Sequence, residues 1–523
     1  MSKNTKIIAV GCLGLFILSM CCLAAGGVFY YFSSEDIFSP DYSDFDSSIS
    51  DFPIDSPSQS EGEPTSVDVR PGEYVDADCP FNTRSTRISC GYLGVPEDHQ
   101  DENSPTISLA VAIIHGSDAG SVTAPLIYLE GGPGGSALDG IEALWMDSPL
   151  IDDRDVVLVD QRGTGYSEPT LNCIEYDDPD YDEADEMDLV EKCRDRLETS
   201  GIDLNLYNSQ QSAADIEALR LALGYAQVDL LGVSYGTRLA LTIMRDYPQG
   251  IRSVILDSVY PPHIDALNEE ILITMEALET LTDGCQADAQ CRQAYPDLED
   301  VLYELIEELE YSPAEVEFWD DYDEEYYLYD YYGLDLIYDL VDSMYDTPTI
   351  PYLPAFIYAM YDGEYKDAFE ILDLPYANLP EDGYEEYTGE DVSDSEGAYF
   401  SVECFDEILF NSTAQAEAMG AGYPDIITEI LLYSVEDMFS YCDQWGSQQA
   451  PSIENQPVRS EIPTLVLNGE YDPVTPPSWA VSTAGYLSRS QTFIFPGYGH
   501  AVIDELEPVC FSQVGPPDFE INP

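Results

Sequence analysis

Residues 228–246 read VDLLGVSYGTRLALTIMRD. The opening VDLLGV is short and almost wholly apolar, as a buried strand is, and residues 237–246 read as a helix. Between them stands Gly232-Val233-Ser234-Tyr235-Gly236, a G-x-S-x-G in the strand–turn–helix setting of a serine nucleophile. The chain must turn so sharply at Ser234 that small neighbours are needed at Gly232 and Gly236. That turn lifts the hydroxyl from the sheet edge and leaves a helix N-terminus beneath it. The same pattern also occurs as an ordinary glycine-flanked turn; the strand before and the helix after argue against that here.

Working outward, strands and helices alternate. Residues 107–115 (ISLAVAIIH), 126–129 (LIYL), 156–160 (VVLVD), 254–257 (VILD), 464–468 (TLVLN) and 492–495 (TFIF) read as strands, and 213–223 (AADIEALRLAL) has helical spacing. Short apolar strands separated by helices predict a parallel sheet covered on both faces. From 263 to 460 the rhythm breaks into an acidic, Tyr-rich and largely helical stretch, expected to be a lid inserted between two parts of the core, 70–262 and 461–523. Within it, residues 318–332 are dense in Asp, Glu and Tyr. They could form an acidic funnel for an ammonium group, but charge runs are more often solvated faces, and that reading is preferred.

Composition limits the function. The 523 residues carry 102 Asp+Glu against 18 Lys+Arg, a formal net charge of −84. Such a chain is repelled by nucleic acid, which excludes a nucleic-acid partner. The acidity fits either adaptation to high salt or a lineage of acidic exported proteins. Only four His occur, none at metal-ligand spacing, so neither a metal nor another cofactor is expected.

Residues 7–32 hold no charged side chain; Lys3 and Lys6 precede them, and Glu35 and Asp36 follow. The segment 1–32 is expected to be a transmembrane anchor with the remainder outside, its length favouring that over a cleaved signal peptide. The Ser/Asp/Pro-rich residues 33–69 read as a disordered tether. In an exported chain disulfides are the default use of Cys. Local pairing suggests Cys79–Cys90, Cys173–Cys193, Cys285–Cys291 and Cys404–Cys442, with Cys510 left over; spacing alone leaves other connectivities open.

Ser234 requires a base. His500, in Gly497-Tyr498-Gly499-His500 after the last strand, is the best candidate, because loops after parallel strands gather at one sheet edge. His263 is the rival, and His99 and His115 lie early in the chain. Asp472, after the strand TLVLN, fits the orienting acid in the order Ser…Asp…His, with Glu470 its near neighbour. The oxyanion donors should be the Tyr235 amide and an amide of the turn Glu130-Gly131-Gly132-Pro133-Gly134-Gly135, most simply Gly132; Pro133 has no N–H. That turn lacks the Lys-Ser/Thr ending of a phosphate-binding loop.

Together, Gly131-Gly132-Pro133-Gly134-Gly135, Asp160-Gln161-Arg162-Gly163-Thr164-Gly165, Gly232-x-Ser234-x-Gly236, Gly469-x-x-Asp472-Pro473-x-Thr475-Pro476 and Gly499-His500 resemble the proline iminopeptidase/tripeptidyl aminopeptidase group of α/β-hydrolases. Cys90-Gly91-Tyr92-Leu93-Gly94-Val95-Pro96 and Cys404-Phe405-Asp406 are similar to its secreted tripeptidyl aminopeptidase branch. The resemblance covers roughly residues 79–510. It implies an α/β-hydrolase fold with a helical lid, and a serine exopeptidase acting on short peptides from a free N-terminus through an acyl-enzyme. It also implies lid carboxylates for the substrate amine, here Glu403 and Asp406. The glycine turn departs from the iminopeptidase pattern, with Glu130 standing where His is usual. Two alternatives stay open, an esterase or lipase with the same triad, and a non-catalytic hydrolase-like binding protein. The membrane is expected as a partner only through the N-terminal anchor.

Overall fold

The computed structural model describes residues 69–505, apart from 117–123, 140, 142–144, 147, 152–153, 177–185, 321–324, 373 and 376–391. The expected anchor, nearly all of the tether and Cys510 lie outside the described residues. Among those described, no helix is long and apolar enough to cross a membrane.

Nine strands form one sheet. In chain order these are β1 (Tyr74–Ala77), β2 (Ile88–Pro96), β3 (Thr106–Ile114), β4 (Leu126–Leu129), β5 (Val156–Val159), β6 (Val228–Val233), β7 (Ile251–Asp257), β10 (Thr464–Gly469) and β11 (Ser490–Phe495); β8 (Ala314–Asp320) and β9 (Glu325–Tyr331) pair separately. The spatial order is β1-β2-β3-β5-β4-β6-β7-β10-β11. From β5 to β11 all pairings are parallel, while β1–β2, β2–β3 and β3–β5 are antiparallel.

The central strands are buried on both sides, and their residues alternate between two cores. Leu230 of β6, Ile127 of β4 and Val157 of β5 enter one core with Ile216 and Leu219 of α2 (Ser209–Ala222) and Leu239 and Ile243 of α3 (Tyr235–Asp246). Leu231, Tyr128 and Leu158 point the other way, into a core with Leu138 and Trp145. The preceding helix α1 (Glu186–Thr199) packs elsewhere, through Val190 and Leu197.

β7 and β10 are neighbours in the sheet although about two hundred residues separate them in the chain. The intervening helices include α4 (Ala266–Ala287), α5 (Leu298–Tyr311), α6 (Gly333–Tyr345), α7 (Leu353–Tyr361), α8 (Glu396–Asp406) and α9 (Asp425–Trp445). Of these, α4, α5, α6, α7 and α9 build a core of their own around Leu278, Leu302, Ile337, Phe356 and Leu431, while Phe400 and Cys404 of α8 pack with Val190 and Leu197 of α1. After β10, α10 (Pro477–Ala484) returns Ala480 to the sheet core. All four local disulfides form, Cys79–Cys90, Cys173–Cys193, Cys285–Cys291 and Cys404–Cys442.

The insertion is not helical throughout. The acidic, Tyr-rich stretch around 318–332 supplies the antiparallel hairpin β8–β9, with Val316 paired to Tyr329 and Phe318 to Tyr327. Tyr327, Leu328 and Tyr329 are exposed. Aromatic residues favour a pleated surface, and here that preference prevails over the surrounding helical pattern.

Candidate active site

Ser234 joins the end of β6 to the start of α3, with φ 54° and ψ −125°. This positive φ is costly for a residue with a Cβ, and the neighbouring glycines make room for it. A Cβ at Gly232 would lie 2.3 Å from the carbonyl oxygen of Gly236, and one at Gly236 would lie 2.0 Å from that of Leu129. The Tyr235 amide is the first of α3, so no intrahelical acceptor exists for it. The glycine turn after β4 touches the serine: a Cβ at Gly131 would lie 3.1 Å from Ser234 Cβ and 3.7 Å from its Oγ.

His500 and Asp472 meet. His500 Nδ1 lies 3.0 Å from each Asp472 carboxylate oxygen, and both residues are buried. Asp472 also accepts from the Thr475 amide (2.9 Å) and hydroxyl (2.8 Å), which fix its orientation. The histidine loop and the serine share an anchor at the end of β7. The Ser234 amide donates to the Asp257 carbonyl (3.0 Å), and the Ala501 amide donates to Ser258 Oγ (2.9 Å). β6, β10 and β11 are parallel to β7 or to one another, so Ser234, Asp472 and His500 all follow strand ends at one sheet edge.

The other three histidines are placed elsewhere. His99 pairs with Asp215 (2.7 Å) and His115 with Ser89 (2.9 Å). His263, the rival base, contacts Ser482 Oγ of α10 (3.0 Å).

Two motif carboxylates serve the turns. Glu130 accepts from the Gly131 amide (2.8 Å) and the Tyr128 hydroxyl (3.1 Å), so the residue in place of the usual His braces the glycine turn. Buried Asp160 accepts from Ser136 Oγ (2.9 Å) and the amides of Leu138 (3.0 Å) and Tyr166 (2.8 Å); burial raises its pKa to about 6. Arg162 is bidentate on Asp215, both contacts at 2.8 Å, and ties the same turn to α2.

Three buried carboxylates of α8 and its C-cap face one buried guanidinium. Arg238 of α3 donates to Glu407 (2.7 Å) and to the Asp406 carbonyl (2.8 Å). Asp406 accepts from the Ser209 amide at the start of α2 (2.8 Å). Glu403 accepts from the Tyr260 hydroxyl (3.0 Å), and its burial raises its pKa to about 8 despite Arg238. Each of the two residues expected at the amine accepts from a neutral donor, and buried Asp406 Oδ1 has no hydrogen-bond partner among the described residues. The negative charge in this cluster exceeds the positive, and a buried surplus of that kind calls for a cation or a proton.

Sequence reasoning missed Glu270, on the first turns of α4. Burial raises its pKa, and among the described residues none hydrogen-bonds its carboxylate. It interacts electrostatically with Tyr345 and Tyr399, and Tyr399 in turn with Glu403. The Tyr345 ring lies 4.8 Å from that of His500. Tyr345 and Tyr399 are 40% and 37% exposed, yet desolvation raises both phenol pKa values. A chain of groups thus leads from His500 through Tyr345, Glu270 and Tyr399 to Glu403. With 102 acidic residues in the sequence, no local signal separates Glu270 from the rest.

The one grouping of possible metal ligands among the described residues is Cys173, Glu175 and Cys193. Its two sulfurs are joined in a disulfide and offer no thiolate.

Residues 124–283 match the family model described as alpha/beta hydrolase fold, and 433–514 match that of TAP-like protein. The chain has the α/β-hydrolase fold. The first matched segment contains Ser234, and the second contains Asp472 and His500. The chain is 32% identical to a tripeptidyl aminopeptidase of Streptomyces lividans over 203 residues, 34% of this chain and 37% of the relative. It is 27% identical to the serine protease Hip1 of Mycobacterium tuberculosis over 223 residues, 39% and 42% of the two chains. A proline iminopeptidase of Lactobacillus acidophilus is 32% identical over 139 residues, 26% of this chain and 36% of the relative. The chain thus spans only 36 to 42% of the length of these relatives.

Proposed function

We propose that this α/β-hydrolase is an extracytoplasmic serine aminopeptidase that cleaves short peptides from a free N-terminus. Ser234 Oγ attacks the scissile carbonyl while His500 takes its proton, held in the right tautomer by Asp472. The amides of Tyr235 and Gly132 stabilise the oxyanion. His500 returns the proton to the leaving amine, and water, activated by the same imidazole, then hydrolyses the acyl-enzyme. Relatives named tripeptidyl aminopeptidase and proline iminopeptidase support the substrate class.

The observation that carries the free-amine requirement is the surplus of buried carboxylate around Arg238. Glu403 and Glu270 both interact electrostatically with Tyr399, and Glu270 also with Tyr345, whose ring lies against His500. An ammonium there neutralises part of that charge and draws Glu403 into its ionised form. The helices of 263–460 act as the lid, and the Asp406 carboxylate near Glu403 raises the Glu403 pKa further, so that an ammonium relieves both. Four disulfides support an oxidising compartment, reached through an anchor at 1–32 and a tether at 33–69.

The test is kcat/KM for a tripeptide anilide in Glu403→Gln and Glu270→Gln. Each variant is expected to lose roughly 10- to 100-fold, the 1.5–3 kcal/mol of a charged hydrogen bond, mainly through KM. Unchanged KM in both would remove the amine site from these carboxylates.

A further inference from the structure

A cavity of about 490 Å³ opens at the opposite edge of the sheet. Arg252 sits at the start of β7, Pro463 just before β10, and Arg489 just before β11. The triad follows the far ends of these strands and their neighbours, about 20 Å away at roughly 3.3 Å per residue. Four arginines line this one cavity, Arg245, Arg252, Arg459 and Arg489, against a single carboxylate, Glu461. The whole chain has only 18 basic residues against 102 acidic ones.

Two of the four are held by internal carboxylates. Arg245 pairs with Glu454 (2.7 Å) and Asp246 (2.7 Å), and Arg252 with Asp229 (2.8 Å), which also receives Arg154 (3.1 Å). Arg459 lies over the Tyr486 ring, 4.8 Å from its centroid. Among the described residues neither Arg459 nor Arg489 forms an ion pair, in a protein where carboxylates abound. Counting Arg154, five guanidinium groups meet four carboxylates around this cavity, a local positive excess in a chain of net charge −84. Met244, Ile251 and Ile462 supply an apolar part of the lining.

We propose that this cavity binds a phosphate-class oxyanion between Arg459 and Arg489, inorganic or as a monoester whose organic group lies against the apolar lining. Guanidinium forks match tetrahedral oxyanions in a bidentate manner, and the volume exceeds what an inorganic ion requires. Arg245 and Arg252, fixed by their carboxylates, set the wall against which the anion rests.

The experiment uses the full-length protein with inorganic phosphate, phenyl phosphate, acetate and chloride at one ionic strength, because any salt screens so acidic a chain. Calorimetry is expected to show saturable phosphate binding with a Kd on the order of 1 mM, and none of acetate or chloride. Tighter binding of phenyl phosphate identifies an organic ester as the ligand; equal binding identifies free phosphate. The double variant Arg459→Gln/Arg489→Gln is expected to weaken binding by roughly tenfold or more. Glu461→Gln is expected to tighten it roughly threefold by removing the one repelling carboxylate, a gain that misfolding does not mimic. Phosphate heats no different from chloride, or binding unchanged in the double variant, would overturn the proposal.

Discussion

Ser234 holds its hydroxyl at φ 54°, a conformation that costs a residue with a Cβ on the order of 1–3 kcal/mol. Ser234→Ala keeps that cost and Ser234→Gly releases it. Both variants are expected to be inactive, with the glycine variant at least as stable in urea despite glycine's entropy in the unfolded chain. A clearly less stable glycine variant would show that the elbow is not strained. Asp472→Asn leaves the loop in place but disturbs the tautomer of His500, and kcat is expected to fall by roughly 10⁴ with KM little changed. Glu403 makes a separate, pH-dependent prediction. Burial raises its pKa from 4.5 to about 8, so between those values the folded chain binds more protons than the unfolded one. Stability contributed at this position therefore falls as pH rises through that window. Urea midpoints measured from pH 5 to 8.5 are expected to fall less steeply in Glu403→Gln; an unchanged slope would contradict the buried, proton-binding carboxylate. The residues His500 and Asp472 were legible because four histidines left few choices and each candidate followed a strand. Glu270 was not, since its meaning comes from Tyr345 and Tyr399, brought to it from helices far away in the chain.

Among the elements, β6 and α3 were legible from one short stretch because strand, turn and helix signals agreed there. The hairpin β8–β9 was hidden: its carboxylates and tyrosines fit a solvated face as well as a strand, and the pairing partner decides between them. The contact between α6 and the histidine loop was equally invisible. The Tyr345 carbonyl accepts from the His500 amide (3.0 Å), and Thr347 Oγ1 accepts from the Gly499 amide (3.1 Å). The inserted segment thereby helps to hold His500 in place. Thr347→Val is expected to lower kcat a few-fold with KM unchanged, at a stability cost of about 1 kcal/mol. A change in KM alone would place Thr347 with the substrate instead. The disulfide Cys404–Cys442 joins α8, which carries Glu403, to α9. Removing it by Cys404→Ala/Cys442→Ala is expected to cost about 2–4 kcal/mol and to raise KM more than it lowers kcat.

At the scale of the whole molecule, the alternation of short apolar strands and helices was enough to read a mostly parallel sheet. The antiparallel strands β1–β3 were not read as such, because hydrophobic pattern reports burial and not direction. The net charge of −84 also acts at this scale. Raising NaCl from 0.1 to 1 M shortens the screening length from about 10 Å to about 3 Å, and Tm is expected to rise with it. A flat or falling Tm would mean that the carboxylates are spaced too widely to repel. The central proposal is that Ser234, His500 and Asp472 hydrolyse peptides whose amine is held by carboxylates of the inserted helices. Its most direct test compares a tripeptide anilide bearing a free N-terminus with its N-acetylated form, in the purified protein and in Ser234→Ala. Cleavage of the free form alone, abolished in the variant, is expected; equal cleavage of both forms, or activity that survives Ser234→Ala, would contradict the proposal.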